Sequence, residues 1–195
     1  GSFAPMDALN TLALIDHLQE RLRDQLAQLE TLRTLPLTTL TRRPAPKRWS
    51  VLEVVEHMNL SSGVYHRRLD ACYAQAQNGL RFAPTFTPGR WGQLATTAMQ
   101  PGADGRIGWR MRTLFAFEPR TAHTQGLTAI DRCAEMLHGL HGLLERARTR
   151  GIEGERITST LGPILRFKAG DAFRFPIAHQ DRHFLQIRRT LEAVR

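Results

Sequence analysis

Apolar residues recur at intervals of three and four through four long stretches of the chain, with charged residues filling the positions between them. This is the period of an amphipathic helix. The first stretch covers residues 7 to 35, where Leu9, Leu12, Ile15, Leu18, Leu22, Leu26, Leu29 and Leu32 share one face and Pro36 ends the run. A proline-punctuated connector, PLTTLTRRPAPKR, follows. The second helix opens at Ser50 with Glu53 three residues on, the S-x-x-E pattern of a capping box. Its stripe is Val51, Val54, Val55, Met58, Tyr65, Leu69 and Cys72, and Gly79 is a suitable stop. The third runs from about Gly126 to Arg150, through Leu127, Ile130, Cys133, Met136 or Leu137, Leu140, Leu143 and Leu144, and Gly151 ends it. The last begins with Asp171 as N-cap and continues to Val194, burying Phe173, Ile177, Phe184, Ile187 and Leu191, with Pro176 placed to bend its first turns.

Between these helices the pattern fails in two places. Residues 79 to 122 hold prolines, glycines and aromatics with little period, apart from a short helix around Trp91–Met99. A connection this long covers something more often than it idles, and it can run the length of a bundle. Helices two and three can therefore be parallel. Residues 151 to 170 form a second connector, partly extended. No strand stands out. Four long amphipathic helices predict an all-α protein, a four-helix bundle.

Composition narrows the class. The chain has 195 residues, 42% of them hydrophobic and 23% charged, which suits one domain over residues 6–195. Residues 1–5 are set aside as a tail in which Gly1-Ser2 resembles the scar of a cleaved tag. No apolar run approaches the roughly 18 residues of a membrane span. Cys72 and Cys133 fit no C-x-x-C pattern and read as reduced, buried thiols of a cytoplasmic protein. The net charge of +9 comes mostly from arginines spread along the helices. Such a surface attracts anions, nucleic acid among them.

The chemistry lies in the histidines. His179 and His183 sit one turn apart at the margin of the last stripe, and His57 sits at the matching margin of helix two. An i,i+4 pair points two nitrogens at one spot, and a third from a facing helix completes a triangular ligand face. His138 and His141 form a competing pair without a third partner. His17, His66 and His123 carry no spacing signal.

The stretch RRPAPKRWSVLEVVEHMNLSSGVYHRRL resembles the opening signature of the DinB/YfiT-like metalloenzymes, in the residues Trp49, Ser50, Glu53 and His57. GDAFRFPIAHQDRHFLQIRRTL resembles the closing one, in Gly170, Asp171, His179, His183, Gln186 and Ile187. The resemblance implies an up-down-down-up bundle with a long crossover between helices two and three. It also implies a divalent metal on His57, His179 and His183, with zinc or nickel expected first and iron next. Pro176, just ahead of the closing histidine pair, departs from the pattern and bears on the shape of the pocket.

Three neutral imidazoles leave coordination positions open, the layout of a catalytic rather than a structural site. A coordinated water is acidified there and a coordinated thiol is deprotonated. Relatives in that family use low-molecular-weight thiols. The resemblance therefore implies a thiol-dependent S-transferase acting on a small molecule, in a homodimer. A metal-dependent hydrolase is the second reading. A stress-related metal-binding module with a basic nucleic-acid surface is the third.

Around the metal, Ser61, Tyr65 and Gln186 are candidates to touch the ligands, with Asp181 read as a solvated or packing residue. Trp49, Trp91 and Trp109 are candidate pocket walls, with Phe82 and Phe86 as further apolar contributors to a roof made by residues 79–122. Arg182 and Arg188 are each read first as facing water, with contact to an anionic substrate or cofactor as the second reading. Glu53 is expected to cap and Glu56 to face solvent.

Overall fold

A computed structural model describes residues 6–100, 117–119 and 123–195. Among them are six helices and two short antiparallel strand pairs, so the protein is mostly helical, as its periodicity predicts. The four long helices are α1 (Thr11–Leu32), α3 (Val51–Ala74), α5 (Thr128–Arg150) and α6 (Ala169–Val194). Two shorter ones, α2 (Leu37–Thr41) and α4 (Arg90–Met99), lie in the connections that follow α1 and α3. Helices α1 and α3 each pack against both α5 and α6, and α4 lies along α6. Their apolar stripes meet in one connected cluster that includes Ile15, Leu22, Val54, Met58, Leu140 and Phe184. None of the described helices is long and apolar enough to cross a membrane. Cys72 and Cys133 are buried and unbonded, as expected, and burial pushes the Cys133 thiol up to about 12.

Several boundaries differ from the sequence reading, each for a local reason. Helix α1 begins at Thr11 because the Asn10 side chain accepts from the Ala13 N–H and caps it. Leu9–Asn10 (β1) instead pairs antiparallel with Thr85–Phe86 (β2), and Leu12 is exposed rather than part of the stripe. The Ser50–Glu53 capping box is present. Helix α3 stops at Ala74, short of Gly79, where the Asn78 amide donates to the Cys72 carbonyl. Gly79 serves a different purpose: a Cβ there would stand 2.7 Å from the Gly154 carbonyl oxygen. Gly151, at φ 82°, ends α5 as predicted.

The second connector is a hairpin, Arg156–Thr158 (β3) against Arg166–Lys168 (β4), so strands are present where none had been identified. Asp171 is not an N-cap. Helix α6 starts two residues earlier, and the Asp171 carboxylate is fully buried in its first turn. It accepts from the Gly89 N–H at 2.7 Å and from Arg174 at 2.9 Å, which moors the start of α4 to α6. Gly92 is required at that contact, since a Cβ there would come within 2.4 Å of the carboxyl carbon. The helix continues through Pro176.

Candidate metal centre

On α3, residues 57, 61 and 65 follow one another at i,i+4 spacing and line one side of a cavity of about 430 Å³. On α6, Phe175, His179 and His183 at i,i+4 spacing, with Gln186 three residues further on, do so from the opposite wall. The packing of α3 against α6 therefore brings His57, His179 and His183 together, with ligating atoms all within 4.8 Å of one another. The ring centroids of His57 stand 4.5 Å from those of His183 and 5.5 Å from those of His179. His179 Nε2 and His183 Nε2 are 2.9 Å apart. Two imidazole nitrogens that close are reconciled by a shared hydrogen or by an ion that both ligate. Among the described residues no other cluster of three or more histidine, cysteine or carboxylate groups converges in this way.

The far nitrogens of two rings are already engaged. His57 Nδ1 donates to the Phe117 carbonyl at 2.8 Å, and His183 Nδ1 donates to Gln186 Oε1 at 2.8 Å. A proton fixed on Nδ1 leaves the Nε2 lone pair directed at the cavity, the orientation that ligating histidines need. Burial is the main force on all three rings, and it favours the neutral form. The pKa of His179 falls to about 3, through burial, then His57 and Arg182. That of His183 falls well below the usual value, through burial and the other two imidazoles. His57 is lowered by burial, against the opposing pull of the Phe117 carbonyl. The donor set is thus three neutral nitrogens with no carboxylate, which fits a borderline divalent ion such as zinc or nickel.

The other candidates divide. Gln186 accepts from His183 Nδ1. Ser61 lines the cavity, but its hydroxyl donates to the His57 main-chain carbonyl at 2.9 Å rather than to an imidazole. Tyr65 also lines it, with its phenol engaged by the Thr160 hydroxyl and N–H at 3.0 Å each. Trp49 packs 5.0 Å from the His57 ring and forms part of the wall.

Trp91 does not line this cavity. The buried residues of α4 are Gly92, Ala95, Thr96 and Met99, so Trp91 falls on the outer face, 56% exposed. Trp109 lies outside the described residues. Phe82 is exposed, and Phe86 is fully buried against Gly170, away from the cavity. The crossover still contributes walls, through Met99 and Phe117.

Of the two arginines, Arg182 lines the cavity, whereas Arg188 reaches Gln28 on α1 at 2.6 Å. Asp181 joins α6 to α1 by accepting from Arg21 and Gln25. Glu53 caps α3 and pairs with Arg43. Glu56, expected at the surface, is fully buried, with Arg132 at 3.5 Å and Asn59 at 3.4 Å as its neighbours. His138 is exposed, and His141 is engaged by Arg23 rather than by a convergent partner.

Several contributors carried no recognised signal. The Phe117 contact is made by main chain, so no side-chain pattern could announce it. Phe175, stacked nearly parallel to His179 with centroids 6.1 Å apart, was legible only as an i,i+4 neighbour. Ser62, Arg48 and Arg189 also border the cavity.

A family model of the DinB superfamily matches residues 18–187. Curated proteins and solved structures offer no match to the chain. The matched span contains all three histidines and Gln186, and with that span covered the chain belongs to the DinB superfamily.

Proposed function

We propose that the protein is a metal-dependent enzyme whose divalent ion is held by His57, His179 and His183, and that it transfers a low-molecular-weight thiol to a small electrophile. The observation that carries this reading is the convergence of three neutral imidazoles, two of them oriented through Nδ1, on the wall of a cavity large enough for a substrate. The long helices are read as an up-down-down-up bundle in a single domain, with residues 75–127 as the crossover. When bound there, a divalent ion supplies Lewis acidity that ionises a coordinated thiol.

The chain's own residues account for the rest. Phe117 and Gln186 hold two imidazoles in the ligating tautomer. Trp49 and Phe175 pack against His57 and His179 and limit the rotation of the rings. Met99 and Phe117 restrict water from the crossover side. Among the described residues no Asp or Glu lines the cavity to act as a general base. This favours a nucleophile that ionises at the ion over a hydrolase that relies on a carboxylate.

The test is metal analysis of protein purified without a histidine tag. It is paired with mass spectrometry of a thiol and a model electrophile incubated with the zinc- or nickel-loaded enzyme. A thioether product that disappears in His57→Ala supports the reading. Full metal content with no accelerated product formation from any thiol rejects the transferase activity while leaving the metal site standing.

A further inference from the structure

The cavity is elongated. Its α6 wall runs from Phe175 to Ala193, eighteen residues, or roughly 27 Å at the helical rise. His179 and His183 lie in its first half. Beyond them, towards the C-terminal end of α6, the lining includes Arg189 from α6 and Arg48 from the connector before α3. Arg182 lines the cavity next to the histidines and also reaches the Ala98 carbonyl at 3.4 Å. Guanidinium groups keep their charge throughout the accessible pH range. No Asp or Glu lines the cavity among the described residues, so the charged side chains of its described lining, histidines aside, are these three arginines. Towards the opposite end the lining combines Phe175 and Leu161 with Tyr65 and Thr160.

Resting on the reading of the cavity as an active site, we propose that its substrate or thiol carries an oxyanion, a carboxylate or phosphate, seated between Arg48 and Arg189. Arg189 lies six residues beyond His183 on α6, about 9 Å of helical rise, so a ligand that meets both must span more than one turn of the helix. Guanidiniums suit this chemistry because each presents paired N–H donors that match an oxyanion. Their positive charge also draws an anionic ligand towards the histidines. The predicted ligand is bifunctional: a group that reaches the histidines, a spacer, and a terminal anion.

Calorimetric titration with 8-mercaptooctanoate, its neutral amide and the corresponding ω-mercaptoalkyl phosphate tests this in zinc-loaded and metal-free protein. The expected result is that either anion binds roughly tenfold or more tighter than the amide, as charge-assisted hydrogen bonds to arginine predict. A tighter phosphate would identify the headgroup as phosphate, and a tighter carboxylate would identify it as carboxylate. The Arg48→Gln/Arg189→Gln double variant should lose the preference while retaining zinc, and Arg48→Lys/Arg189→Lys should keep much of it. Both arginines are exposed, so these changes leave the core untouched. Equal affinity for anion and amide, or a preference that survives the glutamine double variant, overturns the proposal. Zinc loading without an anion preference rejects the arginine subsite alone. A preference seen in protein that binds no zinc rejects the metal reading and keeps the subsite.

Discussion

Gln186 Oε1 lies 2.8 Å from His183 Nδ1, three residues away on the same helix, so one face of α6 supplies both a cavity-lining imidazole and the group that orients it. The arrangement needs no tertiary contact to form, only helical geometry. Removing the acceptor in Gln186→Ala should weaken metal affinity by about 10–100-fold, the usual effect of losing a ligand's hydrogen-bond partner. Gln186→Glu keeps an acceptor and should retain most of the affinity. Competition with a chromogenic chelator gives the measurement, and unchanged helical circular dichroism would show that the fold is not the cause.

Loss of an imidazole is a larger perturbation. His57→Ala and His183→Ala should each lose the metal on dialysis, because two nitrogens rarely retain a divalent ion against buffer. His138→Ala and His141→Ala should keep it, since His138 is exposed and His141 faces Arg23. Elemental analysis of the four variants decides the matter. Full metal content in the first two would remove the site.

The depressed histidine pKa values set a pH dependence. All three rings titrate in the folded protein below the unfolded value of about 6.5. The unfolded chain therefore binds more protons between about pH 6.5 and the folded pKa values, which for His179 is about 3. Metal-free protein should lose stability as pH falls below about 6.5, by at most about 1.4 kcal/mol per pH unit for each ring, and be unaffected by these groups above it. Urea titrations of the apo protein at pH 7.5, 6 and 5 would show the trend. His183→Gln should reduce the slope by that ring's share and leave the part due to His57 and His179.

Metal adds to a fold that already has a core. Chelation should lower the melting temperature by several degrees, matching ~3–4 kcal/mol for an ion at hundreds of times its Kd. Helical circular dichroism should persist, because the buried cluster spans all four long helices. Wholesale loss of helix on chelation would mean that the ion organises the fold.

Ser62 gives a prediction of opposite signs. The residue is 1% exposed and borders the cavity, and its hydroxyl has no hydrogen-bond partner among the described residues. An unsatisfied buried hydroxyl costs roughly 1–3 kcal/mol, so Ser62→Ala should stabilise the free protein. If a substrate atom satisfies that hydroxyl, the same change should weaken ligand binding. Thermal melts with and without 8-mercaptooctanoate would separate the two effects.

The sequence by itself determined the long helices, the capping box on α3, the two-by-one spacing of the histidines and the reach of Gln186 to His183. Each is a local property: helical period places i,i+3 and i,i+4 neighbours together whatever lies beyond. The tertiary structure decided which faces meet. Asp171 reads as a helix cap in the sequence, yet it is buried because Gly89 and Gly92 approach it from α4. Trp91 and Trp49 are equal candidates in the sequence, but the packing of α4 turns Trp91 outward, and the entry into α3 sets Trp49 against His57. Arg182 and Arg188 likewise differ only by the neighbours that α6 meets on either side. The Phe117 carbonyl had no sequence signal, because every residue carries one. Only the path of the crossover brings that particular carbonyl to His57.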